Sequence, residues 1–188
     1  MKILQSDNLF FTSDTHFGHK NIINLCNRPF ENVEDMNNQL IQNWNSVVPK
    51  DGIVYHLGDF AFGGSNLWNS MLDQLNGEIH LIIGNHDVKN LRKSYIERFA
   101  SVNAQETLQI DDLCVYLNHY PFLCFGGAYT DNVWQLFGHV HSGPNNTGKD
   151  AERMQYLFKR QYDVGVDNNN YFPISFNELK IKLNESNN

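Results

Sequence analysis

The sequence predicts an α/β fold in which two β-sheets pack together with helices outside. Three observations predict it. Up to Phe99, short apolar and β-branched runs alternate with helical periods, the pattern of parallel strands joined by crossovers. From Ser101 onward the chain turns strand-rich, with a tight hairpin signal. Five of the strands end in side chains that bind metals, and in α/β sheets such ends converge on one crevice.

The elements follow in order. Asn8 to Ser13 reads as a first strand. Asn21 to Cys26 reads as a helix stopped by Arg28-Pro29-Phe30. Asn32 to Val48 has a helical period, with Val33, Met36, Leu40, Ile41, Trp44 and Val47 on one face. Pro49-Lys50-Asp51-Gly52 is a turn into a second strand, Ile53 to Leu57. Ala61 to Gly64 is a loop, and Asn66 to Leu75 a helix with the stripe Leu67, Met71, Leu72 and Leu75. Asn76-Gly77 turns into a third strand, Ile79 to Ile83, and a short helix is expected over Asn90 to Phe99. Glu106 to Ile110 and Leu113 to Asn118 form a hairpin around Asp111-Asp112. Val133 to Phe137 is a further strand, Gly143 to Lys149 a polar loop, and Tyr156 to Val166 holds one last strand. Ile174 to Leu183 is a C-terminal helix. Without repeats or linkers, residues 1–188 are expected to form a single domain.

Composition excludes several classes. At 188 residues and 41% hydrophobic, the chain supports one real core. A net charge of -7 gives no basic footprint for nucleic acid or an anionic membrane. Cys26, Cys114 and Cys124 form no CxxC pair and no disulfide framework, as in a reducing compartment. No leader-like apolar region opens the chain and no run spans a bilayer, so a cytoplasmic location is expected.

Eight histidines make placement decisive, histidine being the commonest metal ligand. Asp14 and His16 follow the first strand, Asp59 the second, and Asn85 with His86 the third. His119 follows the hairpin, and His139 with His141 the next strand. Asp14/His16 and His139/His141 are spaced i, i+2, which in extended chain puts both side chains on one side. Carboxylate, imidazole and amide oxygen without thiolate suit Mn²⁺, Fe²⁺ or Zn²⁺, with Ni²⁺ also a candidate. Seven ligands exceed one tetrahedral ion and fit two ions sharing a bridging carboxylate. Two metals about 3.5–4 Å apart are a known device for in-line phosphoryl displacement.

These stretches resemble the calcineurin-like metallophosphoesterases, whose motifs run Asp-x-His, Gly-Asp, Gly-Asn-His-Asp, His and Gly-His-x-His. All five occur here in that order between Asp14 and His141. Phe11 to His19 and His56 to Phe60 look like a small bacterial and phage subgroup. The resemblance implies a four-layer αββα sandwich of two mixed sheets flanked by helices, with a dimetal site at the strand ends. It implies that Asp14, His16 and His141 bind one ion and that Asn85, His119 and His139 bind the other, with Asp59 bridging. It implies that His86 stabilises charge on the phosphate or protonates the leaving oxygen, and that Asp87 orients His86. The reaction implied is hydrolysis of a phosphomonoester or phosphodiester by in-line attack of a hydroxide held between the ions.

Two further residues are candidates for substrate contact. His19 lies three positions past His16 on the rim, and Arg28 could reach a phosphate as a bidentate donor. His56 and His80 read as structural, and Trp44, Trp68, Phe122, Phe125 and Trp134 as packing. The expected partner is a small phosphoester. Competing readings are a metal-dependent scaffold without turnover and a nuclease acting on short or cyclic oligonucleotides, the latter disfavoured by the acidic balance. The substrate and the oligomeric state are not specified by the sequence.

Overall fold

A computed structural model describes residues 2–91, 97–144 and 150–185. Its strands are β1 (Lys2–Leu4), β2 (Leu9–Thr12), β3 (Ile53–His56), β4 (Glu78–Ile82), β5 (Ser101–Asn103), β6 (Gln105–Ile110), β7 (Leu113–Asn118), β8 (Val133–Phe137), β9 (Gln161–Asp163) and β10 (Ile174–Ser175). The α-helices are α1 (Lys20–Leu25), α2 (Val33–Val47), α3 (Ser65–Leu72) and α4 (Phe176–Glu185). Short 3₁₀ turns cover Ala151–Tyr156 and Val166–Asn168.

The strands form two mixed sheets, ordered β1-β6-β7-β8-β9 and β10-β2-β3-β4-β5. In the second sheet β2, β3, β4 and β5 are parallel and β10 is antiparallel to β2. In the first, β7, β8 and β9 are parallel, while β6 and β7 form the expected hairpin with Ile110 opposite Leu113. This is an α/β fold of two mixed sheets with flanking helices.

The side-chain alternation of strands divides the core in two. Phe10, Val54, Ile79 and Leu81 face Met36, Leu40, Ile41 and Trp44 of α2 and Trp68 and Met71 of α3. Leu9, Phe11, Tyr55 and Ile82 point the other way, into a core shared with Leu108, Val115, Leu117 and Leu136 of the facing sheet. β2 is buried on both faces, which explains its unbroken apolar run. Helix α2 begins at Asn32, whose side-chain oxygen accepts from the Glu34 and Asp35 amides at 3.0 Å each. Val47, assigned to its apolar face from the sequence, is instead 38% exposed at its last turn.

Several boundaries differ from the expected ones. β1 pairs with β6 and β5 with β4, although neither three-residue segment has a period to read. β9 is three residues of the segment Tyr156 to Val166. The C-terminal helix starts after β10, and its Phe176, Leu179 and Leu183 join the inter-sheet core. Helix α3 ends at Leu72, leaving Leu75 buried in the turn that follows. Residues 92–96, half of the helix expected over Asn90 to Phe99, and residues 145–149 of the polar loop lie outside the described residues.

The carboxyl ends of the strands from both sheets are stitched together. Leu57 N–H donates to Thr12 O, Asp14 N–H to Gly58 O and Gly138 N–H to His119 O. Val166 N–H donates to Ser13 O, and Ser13 bridges Gly165 between the sheets. The seam is where the candidate ligands emerge. Among the described residues no helix is long and apolar enough to cross a membrane.

Candidate metal centre

Two groups of ligand atoms meet at this seam. Asp14, His16 and His141 form one, and Asp59, His119 and His139 the other, the atoms of each lying within 4.8 Å of one another. Asp59 joins them: its Oδ2 lies 3.6 Å from His16 Nε2 and 3.6 Å from His119 Nε2. Asn85 Oδ1 is 3.0 Å from His119 Nε2, which puts the amide oxygen beside the second group.

The backbone reaches this arrangement at a conformational cost. Asp14, His16, Asp59, His139 and His141 all have positive φ, between 48° and 70°. Non-glycine residues seldom adopt that region, and such strain gathers at functional sites. This corrects the i, i+2 argument from the sequence. The paired ligands converge because each is left-handed, not because the chain is extended.

Several candidate ligands are held so that one atom stays directed inward. Asp14 Oδ2 accepts from Ser13 Oγ at 2.6 Å and from His139 N–H at 2.8 Å. Its other oxygen, Oδ1, is buried without a hydrogen-bond partner, as is His16 Nε2. Two orphaned lone-pair atoms side by side in a buried site fit a cation, since unpaired buried polar atoms are otherwise costly. His119 Nδ1 donates to Leu57 O at 2.7 Å, which leaves Nε2 as a lone pair. His141 Nδ1 lies 2.6 Å from Asp167 Oδ2, leaving its Nε2 facing Asp14 Oδ1 at 3.8 Å. Asp59 Oδ1 accepts from His86 N–H at 2.8 Å.

The electrostatics also call for cations. Burial, reinforced by the Asp14 carboxylate, pushes Asp59 up to about 7. Bound divalent ions invert that local logic and favour the carboxylate. Burial, then His141, holds His16 well below the usual imidazole range, so it is neutral and able to ligate. Burial alone would lower His141, but Asp14 and the hydrogen bond His141 donates to Asp167 raise it well above that range.

Two expected roles are corrected. Arg28 does not face substrate: it is 4% exposed, and its Nε and Nη2 form a bidentate pair with Asp167 at 2.8 Å each. Its remaining donors reach Thr15 O at 3.0 Å and Asp14 O at 2.7 Å. Arg28 therefore fixes the carboxylate that orients His141. Asp87 does not orient His86 either. Its two oxygens accept from the Asp59, Gly84 and Phe60 amides at 2.8, 2.8 and 2.9 Å. It holds together the two loops that carry Asp59 and Asn85.

His86 lies at the mouth, its Nε2 4.0 Å from Asp59 Oδ2 and its side chain 40% exposed. The His19 ring stacks on Phe62 at 4.4 Å and sits 5.3 Å from the His16 ring. His56 and His80 are structural: His56 Nε2 is 2.9 Å from the Thr15 hydroxyl, and His80 is paired with Ser101 and Glu78. Trp44, Trp68 and Trp134 are fully buried core residues.

The sequence reading missed Asp167 and Asp163. Asp163 Oδ2 accepts from Ser142 N–H and Oγ, pinning the loop after His141. A signal existed, since Asp163-Val164-Gly165-Val166-Asp167 also places carboxylates at a strand end.

Comparison with known proteins agrees with this geometry. The profile of the calcineurin-like phosphoesterases matches residues 8–167. An uncharacterised protein of Methanocaldococcus jannaschii is 36% identical, over 94% of this chain and 91% of its own length. The gene 66 protein of Mycobacterium phage D29 is 35% identical, over 85% of this chain and 88% of its own. A crystal structure of a protein of unknown function from Aquifex aeolicus superposes with a TM-score of 0.70 at 25% identity, covering 92% of this chain and 97% of that one. With all five motifs meeting at one seam, and the profile spanning every ligand, the chain belongs to the calcineurin-like phosphoesterase family.

Proposed function

We propose that the protein is a phosphoesterase working with two divalent ions, one held by Asp14, His16 and His141 and the other by Asn85, His119 and His139. The observation that carries this reading is Asp59 Oδ2, equidistant at 3.6 Å from a histidine of each group. When bound, such ions activate a water nucleophile and neutralise charge on the phosphoryl oxygens. Mn²⁺, Fe²⁺, Zn²⁺ and Ni²⁺ all suit the donor set.

The chain's own residues supply the rest. Asp59, Asn85 and the five other ligands fix where phosphorus sits, which removes the entropic cost of bringing reactants together. His86, anchored through its backbone amide to Asp59, reaches over the open side. Burial lowers its pKa against the opposing pull of Asp87, so near neutral pH it acts as an N–H donor. Aimed at a phosphate oxygen, that donor stabilises charge developing in the transition state. Asp87 and Ser13 keep the carboxylates aimed, and Asp167 sets the His141 ring.

Asp59→Asn tests the reading. An amide cannot serve as a bridging anion, so metal content should fall below one ion per chain and hydrolysis of bis(4-nitrophenyl) phosphate and 4-nitrophenyl phosphate should drop at least about a thousandfold. A variant that kept two ions and normal turnover would overturn it.

A further inference from the structure

Two grooves open from the metal centre, and the site ligands form part of their walls. One, of about 520 Å³, contains His86 and Asn85 with Phe62, Lys89 and Asn90. The other, of about 590 Å³, contains His139 with Tyr120, Phe122, Leu123, Tyr156 and Leu157, and an acidic lip of Asp150 and Glu152. They meet at one contact, where the Tyr120 hydroxyl donates to Asn85 Oδ1 at 3.3 Å.

Both grooves expose apolar surface that the fold does not use. Phe62 is 46% exposed with one face stacked on His19, while Leu123 and Tyr156 are 80% and 67% exposed. Large exposed apolar side chains grouped beside a reactive centre mark a binding surface more than a solvated one. The second groove is the more telling. At its lip Asp150 is paired with Arg153 at 2.9 Å and lies 3.8 Å from His139, which leaves Glu152, among the described residues, as the uncompensated charge. The guanidinium nearest the centre, Arg28, faces inward on Asp167. A phosphomonoester has one organic arm and would leave one of the two grooves empty, whereas a diester has an arm for each. Beyond that charged lip, Tyr120, Phe122, Leu123, Tyr156 and Leu157 give the His139 groove aromatic and aliphatic surface.

Resting on the phosphoesterase reading, we infer that the substrate is a phosphodiester with an organic arm in each groove, the arm beside His139 being uncharged and apolar or aromatic. The arm beside His86 leaves. Water's oxygen bonds to phosphorus, the P–O bond to that arm breaks, and the water's proton ends on the departing alcohol. The other ester bond survives, so the product is a monoester whose retained arm lies in the His139 groove.

The experiment compares bis(4-nitrophenyl) phosphate with 4-nitrophenyl phosphate on the Mn²⁺-loaded protein. It also titrates diphenyl phosphate and phenyl phosphate calorimetrically into wild type and into the Leu123→Glu/Tyr156→Ala double variant. Both positions are exposed, so the fold tolerates the change. The expected result is a kcat/KM preference for the diester of at least about tenfold, reduced about tenfold or more in the variant together with diphenyl phosphate affinity. A monoester preference, or a variant with the same diester preference and affinity, overturns the diester inference and leaves the esterase reading standing. Absence of turnover on both esters with every metal overturns the esterase reading and this inference with it.

Discussion

Arg28 and Asp167, 139 positions apart in sequence, form a buried bidentate pair whose carboxylate also holds His141 at 2.6 Å. Burial opposes ionisation of Asp167, yet the hydrogen bond from His141 and the charge of Arg28 hold it below the usual carboxylate range. Arg28→Ala would leave that charge with His141 as its remaining partner and take the guanidinium from the Asp14 and Thr15 carbonyls. Breaking one partner of a buried pair costs roughly 3–5 kcal/mol, which for a chain of this size lowers the melting temperature on the order of 10 °C. Arg28→Lys should recover little, because a point ammonium cannot replace a planar fork. Thermal melts of the metal-free variants check both statements.

Asp87→Asn separates the corrected role from the expected one. Three backbone amides converge on this carboxylate, and an amide offers one oxygen while turning an NH₂ group toward an N–H. Leaving a buried donor unsatisfied costs about 1–3 kcal/mol. The Asp59 and Asn85 loops should loosen together, so metal affinity and melting temperature both fall. If the residue merely oriented His86, turnover would change while metal content and stability stayed at the wild-type level.

His86→Ala should behave in the opposite way. The backbone amide at position 86, not the ring, is what bonds Asp59. The metal complement should therefore survive while turnover falls about a hundredfold, the usual worth of one positioned proton donor. Metal analysis alongside steady-state kinetics measures both, and loss of metal in this variant would make His86 a ligand.

What could be read from the sequence was whatever left a local pattern. Helix α2 was legible because Met36, Leu40, Ile41 and Trp44 repeat at helical spacing. β1, β5 and β10 were not, because segments of two or three residues have no period and are strands only by virtue of their partners. The ligand residue types stood out at five strand ends. The residues that hold them in place stood out less: Asp163 and Asp167 share a strand end in the sequence, but Arg28, His141 and Ser142 meet them only through the fold. The sense of Arg28 was reversed for the same reason. A guanidinium looks the same in sequence whether it faces a substrate or a buried carboxylate.

Metal binding should strengthen as pH rises. Without metal, Asp59 titrates at about 7 rather than its ordinary 3.8, so between those values the native chain holds a proton that the unfolded chain has released. Stability of the metal-free protein then falls as pH rises through that window, and Asp163, pushed by burial up to about 6, acts in the same direction. A metal ligand must be deprotonated, so ions displace that proton more readily at higher pH. The Mn²⁺-induced rise in melting temperature should be larger at about pH 8 than at about pH 5. A larger rise at the acid end would remove Asp59 from the ligand set.

Gly84 opens the Gly-Asn-His-Asp stretch, and a turn requirement is the natural first reading of it. Its φ is not among the positive ones, so an alanine could adopt the backbone. Space is the obstacle. A Cβ at this position would overlap Asp59 Oδ1 and the Asp59 amide, and Gly58 across the gap is as close, its own Cβ falling 2.6 Å from the Gly84 Cα. The two glycines let the Asp59 and Asn85 loops touch, which is how one carboxylate reaches both ligand groups. Gly84→Ala should displace Asp59, reduce bound metal below the wild-type complement and abolish turnover. Gly126→Ala is the control, because its Cβ would meet nothing closer than the Tyr116 hydroxyl at 3.5 Å. That variant should melt within about 0.5 kcal/mol of wild type and keep its metals. Equal behaviour of the two variants would mean that close approach at Gly84 does not position the Asp59 carboxylate.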